Sequence, residues 1–191
     1  MKQKSIRVTL LTIIVPLVIA IFASIGFFSA RLNSMNADDK VLYYDKLYNI
    51  NAMLIGADRD FYRAMLAADQ YHLQYEILSA SDLEERANIY KENKQSALEQ
   101  VEAAAAIAMT DESLFTGTTL EDSENTFSDH YDTFESDFGF WDSMYDIDED
   151  RGFWSNYCGQ FEITRGVLGD MIAVTEVWAN RQVETQKARV K

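Results

Sequence analysis

The segment FSDHYDTFESDFGFWDSMY, residues 127–145, carries the pattern that decides the fold. Its apolar positions Phe127, Tyr131, Phe134, Phe138, Trp141 and Tyr145 step by 4, 3, 4, 3 and 4. That heptad spacing lays one seam along a helix and turns it toward neighbouring helices. Upstream, Leu47, Ile50, Leu54, Ala57, Phe61, Ala64 and Ala68 repeat it with steps of 3, 4, 3, 4, 3 and 4. Between the two, Leu83, Ala87, Tyr90, Ala97, Val101, Ala104 and Ala108 fit the same period, interrupted by Lys94. Downstream, Trp154, Phe161, Leu168, Met171 and Trp178 mark a broad apolar face. One proline and eight glycines supply too little turn chemistry for a β-sandwich or barrel. The expected class is all-α.

Three breaks divide these stripes. The first is Ser79-Ala80-Ser81-Asp82, where Ser81 and Glu84 form a capping-box pattern. The second runs from Thr110 to Thr119, with Leu120 resuming the pattern, and the third is the acidic run Asp146 to Asp150 closed by Arg151-Gly152. The expected helices span about 31–79, 82–109, 120–146 and 152–190. Short connections make neighbours antiparallel, so the expected architecture over 31–191 is an up-down-up-down four-helix bundle.

Ahead of the bundle, Val8 to Ala30 is an uncharged run of 23 residues. Roughly 20 helical residues cross a hydrocarbon core of about 30 Å. Pro16 inside it is tolerated in a membrane helix. The competing reading is a secretory signal peptide cut after Gly26 or Ala30. The run is longer than such a segment needs, and Phe28 is too bulky for the second cut. Lys2, Lys4 and Arg7 precede the span, whereas Asp38 and Asp39 soon follow it. The positive-inside bias therefore places 1–7 in the cytoplasm, 8–30 across the membrane and the bundle outside.

Beyond Arg31, thirteen of the 17 basic residues face all 31 acidic ones, a balance of −18. So negative a surface repels nucleic acid. The lone Cys158 allows no intramolecular disulfide. Asp146, Asp148 and Asp150 are spaced like the start of a calcium loop, but Arg151 stands where glycine is needed and Tyr157 where glutamate is needed. A di-metal bundle would use Glu-x-x-His on two helices. Here Phe127 precedes His130 and Asp69 precedes His72. No phosphate loop, nucleophile elbow or zinc pair is present. The expectation is a non-enzyme without cofactor or metal.

The basic start Met1-Lys2-Gln3-Lys4-Ser5-Ile6-Arg7, its apolar span, Tyr44-Asp45-Lys46-Leu47-Tyr48 and Ala57-Asp58-Arg59-Asp60-Phe61-Tyr62-Arg63 together resemble the sensor end of methyl-accepting chemotaxis receptors. The resemblance implies a homodimer, with a second span, a linker module and a cytoplasmic signalling hairpin to follow. It also implies a small ligand, a carboxylate or amino acid, held by arginines of the first exported helix at the membrane-distal dimer interface, or a ligand-carrier protein in its place. Arg59 and Arg63, one turn apart, are the matching pair. Ala67 and Ala68 occupy the next turn, where some receptors of the family carry a third arginine. Arg59 lies about 44 Å along a continuous helix from Ala30. Counting back the same distance from Lys191 brings Asn156, Tyr157 and Glu162 to that height as further ligand contacts. A sensor-kinase front end and a structural bundle on a membrane stalk share these sequence features.

Overall fold

A computed structural model describes residues 46–190. The expected cytoplasmic start, the membrane helix 8–30, the stretch 31–45 and Lys191 lie outside the described residues. Within them, no helix is long and apolar enough to cross a membrane. The described chain is all-α apart from one small hairpin: α1 (Tyr48–Gln74), α2 (Ala80–Ala108), α3 (Glu112–Phe115), α4 (Phe127–Ser143), β1 (Tyr145–Asp146), β2 (Arg151–Gly152) and α5 (Trp154–Val190).

Most positions of the heptad seams are buried in the core. Leu47, Leu83, Tyr131 and Trp154 are only half-buried, and His130, one turn before Phe134, is buried. Ile50, Leu54, Ala57, Phe61, Ala64 and Ala68 of α1 are buried, as are Phe127, Phe134, Phe138 and Trp141 of α4. Phe61 is the hub. Its ring lies 4.7 Å edge-on from Trp141, 5.4 Å from Phe138 and 4.6 Å from Phe161 of α5. Side-chain pairs mark which helices adjoin and, for α1 and α5, their direction. Asp58 meets Arg165 whereas His72 stacks on Trp154, so α1 and α5 run antiparallel. Asp60 meets Ser96 and Gln100 across the α1–α2 turn, and Tyr90 meets Asp142 between α2 and α4. Lys94, which breaks the apolar stripe of α2, bonds Asp142 at 2.5 Å and lies over the Tyr90 ring.

Two starts differ from the sequence reading. The second long helix is capped by Ser79, whose hydroxyl accepts from the Asp82 amide and donates to the Asp82 carboxylate. Ser81, the expected cap, is already helical. α4 begins at Phe127 rather than near Leu120, because Thr126 and Asp129 close a reciprocal capping box there. A bridge between Thr119 and Thr126 draws the intervening residues into a loop. α3 occupies part of the expected break, with Leu114 buried and Ser113 accepting from Trp178 Nε1 at 2.9 Å.

The acidic run, the third expected break, forms a hairpin. Tyr145 pairs with Gly152 and Asp146 with Arg151. Asp150 takes a left-handed φ of 44°, and its carboxylate accepts from Tyr145 (2.7 Å) and pairs with the His72 imidazole (2.8 Å). Asp148 is taken by Lys91. Gly152 has φ 157°, and a Cβ there would run into the Met144 carbonyl, so the hairpin closes only with glycine. The calcium-like spacing is thus spent on tying the helix ends together.

Candidate functional site

Asp58, Arg59, Asp60 and Arg63 lie within two turns of α1 and point different ways around it. Asp60 turns to α2 and is almost fully buried. Its carboxylate accepts from Arg59 Nε (2.8 Å), Ser96 Oγ (2.9 Å) and Gln100 Nε2 (2.8 Å), with Arg63 Nη1 at 3.6 Å. The Arg59 hydrogen bond, aided by Ser96 and Gln100, holds this carboxyl below the usual carboxylate range against the opposing cost of burial. The same hydrogen bond raises the Arg59 guanidinium. Both arginine side chains remain 58% exposed. The structure therefore brings Arg59 and Arg63 to one carboxylate oxygen while leaving them open to solvent.

Asp58 turns to α5. Arg165 Nε and Nη2 donate to its two oxygens at 2.6 and 3.1 Å, and the guanidinium lies over the Tyr62 ring. Glu162 is exposed beside this pair, in a shallow α1–α5 groove with Gly166 and Gly169. Asn156 is exposed nearer the His72 end, two residues after Trp154. Tyr157 is fully buried, stacked on Trp141 at a ring separation of 4.9 Å. This corrects its expected place as a ligand contact: its ring fills the core between α4 and α5. No described contact joins Asn156, Tyr157 or Glu162 to either arginine. The helix-length count put Glu162 at the right height, opposite Asp58, but could not tell which side of α1 it faces.

A second stripe on α1 escaped the sequence reading. Tyr48, Ile55, Tyr62, Leu66 and Leu73 are all exposed, Ile55 by 59% and Leu73 by 67%. With Ala52, Arg59 and Asp69 they fall at steps of 4 and 3 along the helix. This is a heptad seam on the face opposite the core, and Arg59 sits within it. The signal was present in the sequence but was masked by the stronger inner stripe. Arg165 was missed as well, although it is the lone basic residue of α5 before Arg181.

The depressed Asp60 carboxyl has a consequence for acid stability. Its folded-state value lies below the unfolded one, about 3.9 for an aspartate. The contribution is therefore present at neutral pH and lost as pH falls from the ordinary carboxylate range through the folded value. Asp60→Asn is expected to cost about 1–2 kcal/mol at pH 7, tempered by the exposure of Arg59. Urea unfolding at pH 7 and at pH 3 checks this, since the gap between the two proteins should shrink in acid.

Among the described residues no group of three or more His, Cys, Asp or Glu is placed to hold a metal ion. Comparison with protein-family models, curated proteins and solved structures finds no match to this chain.

Proposed function

We propose that the chain is the ligand-sensing front of a membrane-anchored bacterial chemoreceptor. Residues 8–30 form the anchor, 1–7 stay in the cytoplasm, and the antiparallel four-helix bundle of 31–191 stands outside. The working form is a homodimer joined along α1. Arg59 and Arg63, from both copies, meet at that seam and take a small carboxylate or amino acid. Ligand bound between the copies favours one position of α5, which passes the signal toward a cytoplasmic output region.

The observation that supports this reading is the outer seam of α1. Five large apolar side chains at heptad spacing face solvent on a helix whose other side is already packed. Exposed apolar patches of this kind mark association surfaces. A second copy fits because the seam is self-complementary under two-fold symmetry. Each copy brings two arginines offset by one Asp60 to this seam. The two clusters therefore keep a net positive charge and repel, which gives a carboxylate a reason to bridge the subunits.

Cysteine cross-linking in native membranes tests the seam. In a chain carrying Cys158→Ser, Ile55→Cys should form a disulfide-linked dimer readily under mild oxidation. Phe140→Cys, on the comparably exposed outer face of α4, should cross-link far more slowly. Equal rates at the two positions would remove α1 as the dimer contact.

A further inference from the structure

We infer that Asp60 is the positioning residue of the arginine site, fixing the two guanidiniums in advance of a carboxylate ligand. The inference rests on the reading above, that Arg59 and Arg63 take that ligand. Its ground is the unequal exposure of the three side chains. Asp60 is 7% exposed while each arginine is 58% exposed, so a buried anion holds two solvent-facing cations from below. Ser96 and Gln100 of α2 fix the Asp60 carboxylate independently of the arginines. Gln100 is itself fixed by a bond to the Ser96 carbonyl. The carboxylate is therefore anchored to two helices before either guanidinium reaches it.

Arg59 meets Asp60 through its inner nitrogen, Nε, at 2.8 Å. That choice keeps the two terminal nitrogens of the fork for another acceptor, the geometry that suits a two-point grip on a carboxylate. Arg63 approaches the same oxygen through Nη1 at 3.6 Å. One anion shared by two cations leaves one net positive charge on the cluster. It also relieves the repulsion that would otherwise spread two long side chains apart.

Simple charge counting and positioning predict opposite signs for one substitution. Asp60 places a negative charge beside the proposed anion, so its neutralisation should tighten anion binding if charge alone matters. If Asp60 positions the arginines, neutralisation loosens both guanidiniums and weakens binding, because their ordering must then be met at the moment of association.

The test uses the full chain in a nonionic detergent micelle at pH 7, with acetate as probe and ionic strength held constant with chloride. Arginine Nε–Hε signals are followed by NMR. Acetate should shift the Arg59 signal, and Arg63→Gln should weaken that binding. Asp60→Asn should weaken it by about fivefold or more. Asp60→Asn that tightens acetate binding or leaves it unchanged overturns the positioning role. Acetate binding indifferent to Arg63→Gln and absent from the Arg59 signal overturns the arginine site itself, and the positioning role with it. A measurement on the unaltered chain guards against a variant that misfolds. The Arg59 Nε–H, bonded to a buried carboxylate, should exchange with water more slowly than the Arg63 Nε–H. Equal exchange rates contradict the inference without any substitution.

Discussion

Replacing Phe61 with alanine is expected to lower the unfolding free energy by about 3–5 kcal/mol, the cost of deleting a large aromatic side chain from a packed core. Phe61 is wholly buried, and its ring touches Phe138 and Trp141 of α4 and Phe161 of α5. Each is an edge or tilted contact, the arrangement aromatic rings favour. The site cannot readily collapse, because three rings on two other helices surround the gap. Phe140→Ala is the control. Its ring is more than half exposed, so a change within about 0.5 kcal/mol is expected. Urea unfolding of the two variants beside the unaltered chain measures both. A Phe61→Ala cost no greater than that of Phe140→Ala would mean that α1, α4 and α5 do not share this core.

Phe61 is also where sequence and structure agree most closely. It lies on the inner heptad stripe, and such stripes are legible because burial repeats with the helix turn. The same logic identified the seams of α2, α4 and α5. Helix starts were harder. Ser79 and Ser81 each stand three residues before an acidic side chain, and sequence alone does not say which serine keeps an extended backbone. Thr126 and Asp129 formed an equally good capping pair, but the apolar Leu120 upstream made the helix look longer than it is.

At the candidate site, spacing put Arg59 and Arg63 on one face, and they do share a partner. That partner is Asp60, which the spacing alone does not single out from Asp58. Its burial depends on Ser96 and Gln100, which lie far along the chain, and nothing in the local sequence marks them. Tyr157 failed for a different reason. A height estimated from helix length says nothing about rotation around the helix axis, and the Tyr157 ring turns inward to Trp141. Its place in the core was legible only from the spacing of Trp154, Tyr157 and Phe161, each step bringing an aromatic residue back to the same face.

Ligand binding carries the second large effect. A ligand that binds only the folded protein stabilises it by about 2.7 kcal/mol when present at 100 times its dissociation constant. For a chain of this size that corresponds to a rise in midpoint of roughly 5–10 °C. Arg59→Ala and Arg63→Ala should each remove most of that rise. Neither should unfold the bundle, because both side chains are largely exposed. Asp60 keeps its α2 partners in either variant.

The most direct measurement is thermal unfolding of the full chain in detergent against a panel of amino acids and small organic acids, repeated with both arginine variants. The account predicts at least one carboxylate that raises the midpoint of the unaltered chain and fails to do so in Arg59→Ala and Arg63→Ala, at unchanged helicity. A carboxylate that stabilises all three proteins equally, or a panel in which only compounds without a carboxylate stabilise, would contradict it.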